Sequence, residues 1–323
     1  VDPLSDVLRV VRLDGAFFYA VEAVGPFRML AAPAERLAPR ILPASEHLIS
    51  YHIVTSGRCR GGLEGQPLAE LVTGDVLVFP HGDAHVMASA GDDVLGTIPY
   101  DATPDRYPHT LTIGPEGSPN ATLVCGFLGC DRRPFNPLLA TLPKQLHVRD
   151  MSAGWVATFA HQVVEESHAR RAGAESVLTR LAELMFVEVL RRHLESMPDE
   201  QSGWLAGLRD EYVGRALTAL HADPSRAWTI EDLARETGLS RSALAERFTA
   251  RVGQSPIQYL THWRMQVASG LLAQGHAKVA DVAEQVGYES EAAFSRAFKK
   301  VVGVPPGVWR RSGQSPDAVK DAQ

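Results

Sequence analysis

His81, His85, Cys125 and Cys130 are the side chains of the N-terminal half best suited to holding a metal. Two imidazoles and two thiolates match the tetrahedral preference of zinc, so Zn2+ is the cofactor this set would take. The Cys-x4-Cys spacing is looser than in most zinc motifs. His52, on a segment read as a strand, is a further imidazole placed to point inward. The thiols of Cys59, Cys125 and Cys130 allow a second chemistry, reversible oxidation, which needs an exposed thiol of lowered pKa. Three cysteines are too few for a disulfide framework and fit a reducing, cytoplasmic compartment. No Ser-His-Asp spacing, Gly-rich phosphate loop or paired-carboxylate motif accompanies them.

The C-terminal third carries the chemistry of nucleic-acid contact. Thr229, followed three residues later by Asp232, starts a short helix from Ile230 to Glu236 that turns Leu233 and Ala234 inward. Thr237-Gly238-Leu239 ends it, and Ser240 caps a second helix from Arg241 to about Arg251. Leu244 and Phe248, at i and i+4, anchor the second helix on the first. Arg241, Ser242, Ala245 and Glu246 are left on the outer face near its N-terminus. This is the plan of a helix-turn-helix, whose second helix enters the major groove N-terminus first. The plan recurs at Val279 to Gln285, the turn Val286-Gly287-Tyr288, and a helix capped by Ser290. Phe294 and Phe298 repeat the anchor, and Glu291, Ala292, Ser295, Arg296 and Lys299 form the outer face. A longer helix from Gln254 to Leu272 joins the two. Such a joint can hold two reading helices about 34 Å apart, one turn of B-DNA.

The elements that position these residues differ along the 323-residue chain. Gly15–Val24, His47–Val54, Ala69–Phe79 and Ala121–Leu128 are short apolar runs separated by Gly, Pro and Asp clusters such as Gly57, Gly61-Gly62 and Gly91-Asp92-Asp93. Together they predict a sandwich or barrel. From Met151 to Arg171 and from Ala174 to Met197 the apolar spacing becomes helical, which predicts an antiparallel hairpin suited to covering the barrel or to dimerisation. No apolar run reaches the ~20 residues that span a bilayer, so no membrane partner is expected. The net charge of −6 conceals an asymmetry. Residues 1–208 hold 17 Lys and Arg against 25 Asp and Glu, whereas residues 209–311 hold 14 against 11. An acidic N-terminal part thus carries a basic module.

The string Ala283-x3-Gly287-Tyr288-x-Ser290-x3-Phe294-x-Arg296-x-Phe298-Lys299-x3-Gly303-x-Pro305-Pro306-x2-Trp309-Arg310 closely resembles the signature of the AraC/XylS transcription regulators. The likeness extends upstream through Trp228-Thr229 and Gly253-Gln254-Ser255-Pro256-x2-Tyr259-Leu260 and covers about 100 residues. Pro305 stands where that family often has Ser or Thr. The resemblance implies that Ser242, Ala245 and Glu246 face bases in one groove, and Glu291, Ala292, Ser295 and Arg296 in the next. Arg296 then suits guanine, Glu246 a cytosine amino group, and the two alanines a thymine methyl. Ser240, Ser290, Lys299, Lys300, Arg310 and Arg311 are left for phosphates.

Gly74-x5-Pro80-x-Gly82-x2-His85 is similar to the second cupin motif, and His52-Ile53-Val54-Thr55-Ser56-Gly57 to the strand that ends the first. The first motif's His-x-His and Glu are absent, with only His47 in that region. The N-terminal half therefore resembles the cupin sensor of one branch of these regulators. The resemblance implies a cupin-like barrel (residues 1–149), a helical hairpin and linker (150–203), an all-α domain with two helix-turn-helix motifs (204–311) and a loose tail (312–323). The expected partners are promoter DNA, RNA polymerase, a second copy of the chain, and a small-molecule, metal or oxidant signal. The alternative is a cupin metalloenzyme, a dioxygenase or isomerase, with a helical appendix.

Overall fold

In the computed structural model the helices are α1 (Pro3–Val11), α2 (Ala34–Ile41), α3 (Pro137–Thr141), α4 (Trp155–Ala169), α5 (Ala174–Ser196), α6 (Trp204–Arg209), α7 (Glu211–Ala222), α8 (Ile230–Thr237), α9 (Arg241–Val252), α10 (Pro256–Ala273), α11 (Val279–Gln285), α12 (Glu291–Val302) and α13 (Pro306–Ser312). The strands are β1 (Leu13–Ala23), β2 (Arg28–Ala31), β3 (His47–Leu63), β4 (Ala69–Val72), β5 (Val76–Phe79), β6 (His85–Ser89), β7 (Ile98–Tyr100), β8 (His109–Ile113), β9 (Ala121–Cys130) and β10 (Leu146–Val148). The structure describes residues 2–11, 13–43, 45, 47–90, 98–100, 109–130, 135–151, 155–169, 171–198, 201–275 and 277–312. The expected turn at Gly91-Asp92-Asp93, part of the expected linker and nearly all of the expected tail lie outside the described residues.

Leu13–Asp131 and Leu142–Ser196 form one unit. Its strands make a curled sheet in the order β7-β2-β6-β3-β9-β1-β8, with β4 and β5 on β3 and β10 on β5. The first half of β3 pairs with β5 and β9, and its second half with β4 and β6. The expectation of a break at Gly57 and Gly61-Gly62 is thereby corrected, because one 17-residue strand runs through them. Gly57 has φ +78°, and a Cβ there would meet the Asn120 carbonyl oxygen at 2.1 Å. The register shifts just before it, between Val54 and Ser56. A bulge at a glycine bends a strand rather than ending it, and here it carries β3 from one layer into the other.

Alternate residues of β1 serve two cores. Phe17, Tyr19, Val21 and Ala23 join the interior of the curl with Cys125 and Phe127 of β9. Phe18 faces outward onto Phe159 of α4, ring to ring at 5.9 Å. The hairpin of α4 and α5 covers this outer face of β1, which is why the strands are apolar on both sides. The stripe expected along α5 divides in the structure. Leu178, Met185 and Leu190 are buried, whereas Val177 and Leu184 remain 51% and 54% exposed.

Val1–Arg12, Arg132–Thr141 and Met197–Gln323 form the second unit. Among its described residues every regular element is a helix. Asp2 accepts from the backbone N–H groups of Leu4 and Ser5, so it caps α1. That helix packs on α7 and α10. The Trp204 indole donates to the Tyr259 hydroxyl, which is also 2.8 Å from Nε2 of His221 and thereby ties α6, α10 and α7. No helix among the described residues is long and apolar enough to cross a membrane.

Candidate functional site

Two places carry polar groups that the fold alone does not require. The first is the outer face of the two helix-turn-helix motifs. Thr229 and Asp232 form a reciprocal capping box at the start of α8, and Gly238 ends that helix in the left-handed conformation. The Ser240 hydroxyl accepts from the N–H of Ala243 and starts α9. Leu244 and Phe248 are fully buried, so α9 is fixed in rotation. Ser240, Arg241, Ser242 and Glu246 are exposed and Ala245 is half-buried. Arg241 is paired with Glu231 of α8 at 2.6 Å.

The second motif is built alike. Ser290 caps α12 by accepting from the N–H of Ala293. Phe294 and Phe298 are fully buried in a cluster with Met265, Ala268 and Leu272 of α10. Glu291, Ala292, Arg296 and Lys299 are exposed, and Ser295 is half-buried. In both motifs, the first turn of the second helix presents free N–H groups and small or charged side chains to solvent. That surface suits phosphate and base-edge contacts.

The second place is the interior of the curled sheet. Tyr19, Cys125 and His52 lie side by side on β1, β9 and β3. His52 Nδ1 is 2.9 Å from the Cys125 sulfur, and His52 Nε2 is 2.8 Å from His85 Nε2. His85 Nδ1 is 2.9 Å from the Asp83 carbonyl oxygen. A carbonyl can only accept, so His85 carries its proton on Nδ1 and its Nε2 is an acceptor. His52 must then donate through Nε2, which leaves its Nδ1 to accept from the Cys125 thiol. The Tyr19 hydroxyl donates to that sulfur. Every donor and acceptor along this relay is matched when all four groups are neutral.

Burial enforces that state. Desolvation pulls His85 down to about 4, and desolvation followed by the nearby His85 pulls His52 well below its usual value. Burial, with a smaller push from Asp75, raises Cys59 to about 12. Cys125 is raised as well, by burial first and then by Cys59.

The four expected zinc ligands are not gathered. His81 is exposed, with Nε2 on the Leu142 carbonyl at 2.9 Å. Cys130 pairs with Leu13 and His47, five residues along β9 from Cys125, a separation of about 17 Å that puts it on the opposite face. His85 and Cys125 do converge, but with His52 rather than with His81 and Cys130. Their donor atoms do not share a point, because His52 turns one nitrogen to each partner. Among the described residues, no group of three His, Cys, Asp or Glu side chains is arranged to hold a metal. Cys59 is buried on β3 opposite Leu71 and Ser89.

Sequence reasoning did not single out Tyr19, whose signal lies only in its register with Cys125. It also missed α1, α2 and α3 within the half read as β-rich. The Asp2-Pro3 start, a capping carboxylate followed by Pro, was the available sign of α1.

Residues 2–195 match the cupin family, and residues 233–312 match the helix-turn-helix domain family. The chain is 34% identical to an AraC-like transcription regulator of Streptomyces lividans, over 98% of this chain and 100% of the relative. It is 27% identical to the HTH-type transcriptional regulator AlkR of Acinetobacter baylyi, over 96% of this chain and 99% of the relative. It is 23% identical to the RCS-specific HTH-type transcriptional activator RclR of Escherichia coli, over 81% of this chain and 84% of the relative.

Proposed function

Because the chain belongs to the AraC-like transcription regulators, we propose that it reads a bipartite duplex site through the N-terminal halves of α9 and α12. The observation that carries this reading is the repetition of one device: a Ser-capped helix, locked by two buried side chains at i and i+4, with its first turn exposed. Ser242, Ala245 and Glu246 serve the first half-site, and Glu291, Ala292, Ser295 and Arg296 the second. Ser240, Arg241, Ser290 and Lys299 hold phosphates. The relatives are named as transcription regulators, which leaves the cupin metalloenzyme alternative without support. Selection from a pool of randomised duplexes tests the reading. Two conserved blocks separated by a fixed spacer are the expected result, and a single block overturns it.

Arg296→Ala is expected to weaken binding to the selected site by about 1–3 kcal/mol and to relax preference at one base pair. A gel-shift titration at constant salt checks this, since phosphate contacts make affinity salt-dependent. Unchanged affinity removes Arg296 as a base reader.

In this reading a small molecule, rather than an oxidant or zinc, is the signal for the sheet unit. Two observations favour it. Cys59 and Cys125 are buried with raised pKa, the opposite of a reactive thiol. The donors of His52, His85 and Cys125 also point at one another rather than at a common centre. Metal analysis of the purified protein should find less than one zinc per chain; a full equivalent, lost in a His85→Gln variant, reverses this preference.

The chain also acts as a homodimer in this reading and engages RNA polymerase at the promoter. Val177 and Leu184 lie seven residues apart on one face of α5, with half-buried Leu181 between them. An exposed apolar stripe of this kind suits a second helix. Val177→Glu combined with Leu184→Glu is expected to raise the dimer dissociation constant by about tenfold or more. Sedimentation equilibrium reads that shift, and an unchanged constant places the dimer contact elsewhere.

A further inference from the structure

The two helix-turn-helix motifs meet at a second seam besides the length of α10. Arg264 lies in the middle of α10 and is half-buried. Its guanidinium faces the loop that leads into α8. Nε donates to the Pro224 carbonyl at 2.6 Å, and one terminal nitrogen donates to the carbonyls of Ser225 at 3.2 Å and Arg226 at 2.8 Å. The loop is also tied from within. The Asp223 carboxylate accepts from the Ser225 hydroxyl and the Arg226 N–H, and the Trp228 indole donates to the Asp223 carbonyl.

The second motif closes on the same spot. The Tyr288 ring lies 5.7 Å from the guanidinium carbon. Its neighbour Gly287 has φ +80°, and a Cβ there would stand 2.1 Å from the Ser225 carbonyl oxygen and 2.8 Å from an Arg264 nitrogen. The turn of the second motif therefore rests directly on the entry loop of the first, with Arg264 bonded to one and facing the ring of the other. The entry loop ends at Thr229, which starts α8, and α8 carries α9. The turn at Gly287-Tyr288 sets the angle between α11 and α12. One side chain thus lies where the placements of both reading helices are decided.

We propose that Arg264 is a positioning residue for DNA recognition. Without touching DNA, it fixes the spacing and angle at which α9 and α12 are presented, and so the half-site spacing the protein accepts. This rests on the reading above that both motifs bind DNA. The physical ground is effective concentration: a second reading helix adds most when its partner's position already places it in the next groove. A planar guanidinium with several donors in a fixed fork suits a joint of three carbonyls, and an ammonium does not replace it.

The test uses the full chain and duplexes carrying the two half-sites selected by the wild-type protein, separated by spacers of varied length. Wild-type protein is expected to accept one spacer. Arg264→Ala should bind the best duplex about tenfold or more weakly and lose discrimination among spacers, while its affinity for a duplex with only the first half-site changes less than about twofold. Arg264→Lys should fall between. Equal losses on bipartite and single half-site duplexes, or an unchanged spacer preference in Arg264→Ala, overturn the assignment. Both affinities of a variant come from one preparation, so a reduced folded fraction scales them alike and cancels in their ratio. If the wild-type protein selects no bipartite site, the DNA-reading proposal fails first and this inference falls with it.

Discussion

Phe298→Ala is expected to cost the helical unit about 3–5 kcal/mol, the range for removing a large aromatic side chain from a packed interior. Phe298 is fully buried, with ring centroids 5.5 Å from Phe294 and 6.3 Å from Trp309. It shares its cluster with Met265, Ala268 and Leu272 of α10. Trp309 cannot follow a retreating neighbour freely, because its indole N–H is bonded to the Ser269 carbonyl at 3.1 Å. The site therefore has little freedom to collapse, which places the cost high in that range. Phe298→Leu keeps much of the volume and is expected to cost only about 1–2 kcal/mol. Urea denaturation of the two variants separates the outcomes. Similar small losses for both show a core that repacks, and would remove Phe298 as the anchor of α12. The functional consequence is local in the same way: Phe298→Ala should abolish protection of the second half-site before the first.

Phe298 also shows what could be read from the chain and why. Helix-turn-helix packing is set by residues three to ten positions apart, so caps, turn and anchors all sit within one window. Ser240, Gly238, Leu244 and Phe248, and their counterparts Ser290, Gly287, Phe294 and Phe298, are placed as the spacing predicts. The cupin-like curled sheet was legible as an architecture, but the register that brings its side chains together was not. His52 meets Cys125 across 73 positions and His85 across 33. Pairing at that range is decided by register, which alternation alone cannot supply. The expected set of four ligands comes apart on this point. Cys130 is close to Cys125 in sequence, yet an odd offset on a strand sends the two to opposite faces. Gly57 misled for a related reason: the same residue type ends strands at turns and bends them at bulges, and only the partner strand distinguishes the two. Arg264 stood unnoticed among the apolar residues of α10 because its three acceptors are backbone carbonyls, which leave no trace in a sequence.

Acidification from pH 6.5 to about 4 is expected to destabilise the sheet unit, with His85 alone contributing on the order of 3 kcal/mol. The unfolded chain takes up a proton at the ordinary imidazole value near 6.5, whereas buried His85 does so only at about 4. Between those values the unfolded state holds more protons, so each step down in pH favours it. Above 6.5 the two states hold the same number, and below about 4 the folded imidazole is charged too, so the loss levels off. His52 acts in the same direction, since its value is also depressed. The relay makes the loss structural. A proton arriving on His85 Nε2 faces the N–H of His52 at 2.8 Å, donor against donor. His52 can turn that nitrogen into an acceptor only by taking its proton onto Nδ1, which then opposes the Cys125 thiol. His221 in the helical unit is held down to about 3 by burial, so melting of the whole chain would mix two acid responses. Amide exchange read on β3 and β9 isolates the sheet unit. His85→Gln, neutral at every pH, should lower stability at pH 7 yet flatten its dependence between 6.5 and 4. A variant that keeps the wild-type slope would show that the proton is taken up elsewhere, and that the imidazole pair is not what couples this unit to acid.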